Sequence, residues 1–193
     1  NIILASSSKV RKIILEKNGI KCKVVHSNID EDPIKNSLLS EGASPELISK
    51  NLAELKANKV SENFNDNIVL GADSVIDLNN ELISKPENRK QAREIMMKLN
   101  GKKHLLISSV CISKNGSMIW NNTDKAELKM KTLSSIQIDD YLSKIPDETL
   151  YSYNVYQIEG LGKTLFESII GNNNTIMGLP IENIKNYLEN LNI

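Results

Sequence analysis

Cysteine and histidine are nearly absent from this chain, with two of each in 193 residues. Cys22 and Cys111 lie far apart, outside any CxxC pattern and among apolar neighbours, so both are expected to be reduced and buried, as in a cytoplasmic protein. With only His26 and His104 available, a zinc site or a histidine-based triad is disfavoured. Any catalysis then falls to carboxylates, lysines and a hard metal ion. An excess of charge of one sign is also lacking, since 24 basic residues offset 24 acidic ones. That balance argues against a general binder of nucleic-acid polymers, which relies on neutralising phosphates, so a basic site must be local. No apolar run approaches the roughly 18 residues of a membrane span, so no membrane partner is expected. The first residues enter a strand directly, without the basic and apolar regions of a secretory signal.

What the sequence does hold is enough for a core, with 40% hydrophobic residues. The length suits one domain, residues 1–193, on a prior of about 100 to 200 residues per domain. An apolar run from Asn1 to Ala5 reads as a strand, and the spacing of Val10, Ile13, Ile14 and Leu15 predicts a helix over 9–18. Lys21 to Val25 reads as a second strand, hairpin-like after the first helix, followed by the acidic loop HSNIDEDP. Ser44-Pro45 starts a long amphipathic helix running to about Phe64. IVLGADSVI, residues 68–76, is a central strand, and Asn79-Asn80 turns it into a short strand over 81–84. A helix over 88–99 closes at Gly101. A strand over 104–113 turns at Asn115-Gly116 into a return over 117–120. A further strand lies near 125–132, a helix over 135–144, a strand within IEGLGKTLFESIIG and a last helix over 181–191. This mixed order of strands and helices gives an α/β fold with one curved, mixed sheet.

Three stretches carry candidate chemistry. ASSSKVRK places Ser6, Ser7 and Ser8 where the first helix begins, either as caps or as the rim of an anion site at the helix N-terminus. Arg11 in the first turn is locally unfavourable unless an anion offsets it. Asp73 is a carboxylate in the middle of an apolar strand, where it needs a cation, a metal or hydrogen-bond donors. It reads either as a structural ion pair with a lysine or as a functional acid, and Gly71 allows another backbone or a ligand to come close. Asp30, Glu31 and Asp32 are either solvated surface or, with Asp73, oxygen ligands of the kind Mg²⁺ prefers. Arg11, Lys12, Lys56 and Lys85 would suit a triphosphate if the fold brings them to one cleft.

ASSSKVRK resembles the opening A-S-x-S-P-x-R-[RK] of Maf proteins. NIDE, LAELKA, VLGADSVI, ISKP, NGKKH, IEGLG and GLP resemble that family's further blocks in the same order, from about Ile2 to Pro180. The resemblance implies a Maf/ITPase-like elongated mixed β-sheet with flanking helices and two lobes around a deep cleft. It further implies a cytoplasmic nucleoside triphosphate pyrophosphatase, commonly a homodimer, using Mg²⁺ or Mn²⁺. Such an enzyme hydrolyses the bond between the α and β phosphates to give a nucleoside monophosphate and pyrophosphate. Position by position, Ser6, Ser8, Arg11, Lys56 and Lys85 are implied to hold the phosphates. Asp73 is implied as the proton acceptor for the attacking water, and Glu31, with Asp73, as a metal-ligand candidate.

Two departures bear on that inference. Lys9 replaces the family's proline at the helix start. The three positions that sort substrates within the family read Val10, Ser74 and Glu159: Ser74 is closer to the dTTP/UTP branch, Glu159 matches the 7-methyl-GTP branch and Val10 matches neither. An acceptor-only carboxylate at Glu159 could take both N1–H and the exocyclic amine of a guanine edge, so a guanine-type base is preferred. Alternatively Glu159 merely pairs with Lys163. The competing readings are a dTTP/UTP pyrophosphatase and a nucleotide-binding regulator of cell division with vestigial hydrolysis.

Overall fold

Strand β1 (Ile2–Ala5), helix α1 (Lys9–Lys17) and strand β2 (Cys22–Val24) form a parallel unit in which Ile3 lies opposite Lys23. The hairpin-like reading of the second strand is corrected here, because a strand returning through a helix is carried back to the same end and pairs parallel. The computed structural model describes residues 2–152 and 154–192, so Asn1, assigned above to the first strand, lies outside them. Next come α2 (Glu31–Ser40) and α3 (Pro45–Ser61), then β3 (Val69–Leu78), β4 (Glu81–Ile83) and α4 (Arg89–Leu99). Strands β5 (Lys103–Lys114) and β6 (Ser117–Met130) are followed by α5 (Ser135–Ser143) and α6 (Asp147–Ser152). A 3-10 turn (Leu161–Leu165), β7 (Phe166–Ile170), α7 (Asn173–Ile176) and α8 (Ile181–Asn190) complete the described order. Among the described residues no helix is long and apolar enough to cross a membrane.

Several boundaries differ from the sequence reading for local reasons. The acidic stretch is a loop only as far as Asp30, and Glu31, Asp32 and Pro33 form the first turn of α2. Acids suit a helix N-terminus, and proline costs nothing where the N–H has no intrahelical partner. The two segments expected over 117–120 and 125–132 are one strand, β6, whose polar middle is carried by pairing along the length of β5. Of IEGLGKTLFESIIG only the end is strand, and LGKTL is the 3-10 turn.

Among the described residues seven strands form one mixed sheet in the order β2-β1-β3-β5-β6-β7, with β4 also paired to β3. Along β3, residues of one face alternate with those of the other. Leu70 and Ala72 join one apolar cluster with α1 and α8, while Ile76 and Leu78 join a second with α4 and α5. On neighbouring β5, Val110 and Ile112 belong to the first cluster and Leu106 to the second. Between them lie Ser74 and Ser108, directly opposite each other. The two lobes are therefore two cores on a shared sheet, separated by a polar waist.

One edge of β3 is open at that waist. Pairing with β1 ends at Ala5 and Gly71, and pairing with β4 begins at Ile76 and Ile83. Residues 72–75 thus have no strand neighbour on this side. On the opposite face α3 packs tightly: a Cβ built on Gly71 would lie 2.4 Å from the Ala53 carbonyl oxygen and 2.8 Å from the Ala57 amide nitrogen. The glycine is required by the approach of a second backbone, one of the alternatives raised by the sequence. We expect Gly71→Ala to displace α3 and cost about 1–3 kcal/mol of stability, as overpacking does. Denaturant unfolding would measure the loss.

His104, at the start of β5, is buried against Tyr156 and Phe166, and its Nε2 lies 2.8 Å from the Tyr156 hydroxyl. Nδ1 has no hydrogen-bond partner among the described residues, and burial lowers the imidazole pKa to about 4. The unfolded chain therefore takes up a proton at this residue before the folded one does, near the ordinary value of about 6.5. Stability at His104 is full above that value and is expected to fall as pH drops from about 6.5 towards about 4. In His104→Gln this part of the pH dependence should vanish from denaturant unfolding measured across that window.

Candidate active site

Three chain segments meet at the open edge of β3. The turn from β1 into α1 delivers Ser6, Ser8 and Arg11, the unpaired stretch of β3 supplies Asp73 and Ser74, and the end of β4 leads into Lys85. They line a cleft of about 830 Å³, together with Glu31 from α2, Lys56 from α3 and Val10 from α1. Every residue implied above to hold phosphate, metal or water is thus brought to one place. Glu159 is the exception: it lies exposed beyond Ile158, which itself lines the cleft, and it forms no ion pair with Lys163.

The serine-rich turn caps the first helix, the first of the two readings raised for it. Ser8 caps α1, its Oγ accepting from the Arg11 amide at 3.3 Å. Ser6 Oγ accepts from the Ser8 amide at 3.2 Å and from Arg11 Nη1 at 3.1 Å. Arg11 Nε donates to the Gly178 carbonyl at 2.9 Å, and Nη2 donates to Ser74 Oγ at 3.0 Å. The guanidinium is held without a carboxylate hydrogen-bonded to it, so its charge is not locally spent. Burial lowers its pKa, with Asp73 and Glu31 opposing. An arginine remains cationic under such conditions and suits planar recognition of an oxyanion.

Asp73 is 7% exposed and forms an ion pair with Lys56, whose Nζ lies 3.1 Å from Oδ1 and also donates to the Ala72 carbonyl at 3.2 Å. The ion-pair reading of this carboxylate is therefore true, but incomplete. Among the described residues Oδ2 is buried without a hydrogen-bond partner, whereas Glu31 Oε1, also buried, is ion-paired with Lys56 Nζ at 2.7 Å. Burial raises the Asp73 pKa, against the pull of Lys56, and the neighbouring Glu31 adds to the rise. For Glu31 burial also opposes ionisation, but Lys56, Lys35 and Lys85 outweigh it and hold the carboxyl below its ordinary range. Two carboxylates in one cleft are thus pushed in opposite directions, the pattern expected of an acid–base residue beside a permanently ionised one. Lys85, reached by solvent through the cleft and enclosed on its flanks, is lowered first by that enclosure and then by Arg11.

Among the described residues no three His, Cys, Asp or Glu side chains converge as a metal cage. Asp73 Oδ2, buried without a partner among the described residues, and the carboxylate of Glu31 beside it nevertheless fit a hard cation of the Mg²⁺ type, which is bound by one or two carboxylates with substrate phosphates and water supplying the rest. The far end of the cleft is apolar, with Leu106, Tyr156, Ile158 and Ile176 on its walls. One end therefore suits phosphates and the other a flat ring.

Residues that hold Arg11 from behind escaped the sequence reading. Ser108 Oγ donates to the Thr175 carbonyl at 2.7 Å and lies 2.8 Å from Ser74 Oγ. Gly178 has φ of +112°, and a Cβ there would stand 3.2 Å from Arg11 Nε. A signal existed for Ser108, since HLLISSVCIS breaks an apolar run with a polar pair just as Asp73-Ser74 does. Because Asp73 ionises inside the fold only above its ordinary range, stability should decline as pH rises through that range and level off above the raised value. Asp73→Asn removes this loss, so the variant is expected to be more stable than the parent at neutral pH, as measured by denaturant unfolding.

Known proteins resemble this chain along nearly its whole length. A family model described as Maf-like protein matches residues 1–191. A nucleoside triphosphate pyrophosphatase of Pelagibacter ubique (strain HTCC1062) is 61% identical over 188 residues, covering 97% of this chain and 96% of that protein. A 7-methyl-GTP pyrophosphatase of Brucella abortus biovar 1 (strain 9-941) is 36% identical over 180 residues, covering 93% and 90%. Among solved structures, a HAM1 protein from Coxiella burnetii gives a TM-score of 0.47 at 13% identity, covering 67% of this chain and 72% of that one. With a match along nearly its whole length, the chain belongs to the Maf-like protein family.

Proposed function

We propose that this Maf-like protein is a hydrolase, a nucleoside triphosphate pyrophosphatase that cleaves between the α and β phosphates with Mg²⁺ or Mn²⁺ as cofactor. The observation that carries the reading is the buried, unpartnered Oδ2 of Asp73 at the cationic end of the cleft. Arg11, Lys56 and Lys85 supply positive charge for a triphosphate, Ser6 and Ser8 rim the same end, and the apolar end receives the base. The names carried by the Pelagibacter and Brucella relatives support the same activity.

In this mechanism Lys56 holds Oδ1 of Asp73, leaving Oδ2 directed to a water molecule. Burial makes the carboxylate a stronger base than an exposed one, which brings it closer to the operating pH. As the water oxygen bonds to the α-phosphorus, the bond from that phosphorus to the bridging oxygen breaks. The water proton passes to Asp73 and the electron pair leaves with pyrophosphate. Arg11 and Lys85 stabilise charge on the phosphate oxygens inside a partly dehydrated cleft, where fixed charges act more strongly than in water. Glu31, with Asp73, would hold the divalent cation, which when bound would offset phosphate charge and polarise phosphorus.

Within this activity a guanine-type base such as that of 7-methyl-GTP is the preferred substrate. The support is the acceptor-only Glu159 immediately after Ile158, together with the Brucella relative's name. A charged purine ring also favours a carboxylate near the apolar end. A release assay across 7-methyl-GTP, GTP, UTP, dTTP, CTP and ITP tests both levels. Monophosphate and pyrophosphate are the expected products, with turnover reduced about 10²–10⁴-fold in Asp73→Asn, the range for losing a general base. Glu159→Gln is expected to shift preference from 7-methyl-GTP towards UTP and dTTP. A parent preference for UTP or dTTP would overturn the base assignment, and release unaffected by Asp73→Asn would overturn the mechanism.

A further inference from the structure

The polar waist of the sheet is a row across three strands. Ser74 on β3 faces Ser108 on β5, and Ser108 faces Asp124 on β6. The row is stapled to the segment after β7, because Ser108 donates to the Thr175 carbonyl and Thr175 Oγ1 donates to Asp124 Oδ2 at 2.6 Å. Ser108 is fully buried and has a single hydroxyl hydrogen. A carbonyl can only accept, so that hydrogen is committed to Thr175. Of the 2.8 Å contact between the two serines, Ser74 must then be the donor. Its own hydrogen is spent on Ser108, and its lone pairs face Arg11 Nη2 at 3.0 Å. The polarity of the chain Arg11 to Ser74 to Ser108 to Thr175 is therefore dictated from its buried end.

We propose that Ser108 is a positioning residue for Arg11, and that Ser74 acts through the same chain by orienting the guanidinium and does not read the base. The proposal rests on Arg11 as the phosphate-holding group of the proposed function. Arg11 has three anchors: Ser6, Gly178 and Ser74. The last two both lead to the segment from Thr175 to Gly178, directly or through the serine pair. That segment also carries Ile176 and Met177 on the cleft wall. A fixed Thr175 thus sets the guanidinium and the apolar end relative to each other. Without Ser108 the Ser74 hydroxyl loses the acceptor that fixes its orientation, and the oxygen that accepts from Arg11 is no longer held in one place.

The test compares the parent protein with Ser108→Ala, Ser108→Cys, Ser74→Ala and the double variant Ser74→Ala/Ser108→Ala. Each is titrated with inorganic tripolyphosphate by calorimetry and assayed for pyrophosphate release from the best nucleotide. Cysteine fills nearly the same space with a weak donor and acceptor, so it separates loss of the hydrogen bond from a cavity if the alanine variant folds poorly. Each single variant should raise the tripolyphosphate Kd and the nucleotide KM about tenfold, with the smaller effect on kcat. The double variant should be no weaker than either single one, because both act through one chain. Binding within twofold of the parent in the single variants, or effects that multiply in the double variant, would overturn the proposal. A parent that binds tripolyphosphate without hydrolysing any nucleotide would remove the proposed function, and the Kd values alone would then decide the role of Ser108. Where the parent releases pyrophosphate from a nucleotide without binding tripolyphosphate, the proposed function stands, and an unchanged nucleotide KM in the single variants would overturn the role of Ser108.

Discussion

The burial of Asp73 against Lys56 is the interaction around which the site is organised. A carboxylate inside an apolar strand is tolerable only with a cation at hand, and the cation arrives on α3 because Gly71 lets that helix approach β3 closely. Lys56 meets Glu31 as well, so one ammonium group balances two carboxylates from different elements. The balance is unequal. Asp73, the more deeply buried of the two, is raised, whereas Glu31 is surrounded by lysines and is held low. Partial compensation keeps the pair in the fold while leaving Oδ2 of Asp73 without a hydrogen-bond partner among the described residues.

The position of this pair follows from how the sheet is built. Between the end of β1 and the start of β4, residues 72–75 lose a strand neighbour. At that level the apolar packing on one face divides into two clusters. An unpaired edge normally exposes backbone groups that need partners. Here Lys56 takes one of them, the Ala72 carbonyl, and the rest of the gap opens to the cleft. The interruption that weakens the sheet thus creates the space in which a triphosphate would lie. The cations lining it come from the start of α1, the end of β4 and from α3, elements with no sequence proximity to one another.

Arg11 illustrates how a side chain remains available while being fixed. Its partners Ser6, Ser74 and Gly178 all offer neutral oxygens. Neutral acceptors set the plane of the guanidinium without neutralising it, in contrast to the surface pair of Arg93 with Asp139, where charge meets charge. An incoming anion therefore finds a cation that is already oriented and still uncompensated at close range.

Much of this was legible in the residues. The apolar runs and turn signals located most strands and helices, because alternation and 3.6-residue spacing are local consequences of burying one face. Asp73 stood out because a charge in an apolar run has a cost that no local structure can remove. The direction of β2, the helix at Glu31 and the unity of β6 were not legible, since pairing partners and first-turn placement depend on neighbours distant in sequence. Ser108 carried a visible signal, a polar pair in an apolar strand, but its meaning required the register that sets it opposite Ser74. By itself the sequence determined most of the elements, the buried carboxylate and the family blocks, all of which are written in side-chain type and spacing. Only the tertiary structure decided which cations reach Asp73, which oxygens are left without partners and which way the serine hydrogens point, because distances and hydrogen-bond directions exist only once the chain is closed upon itself.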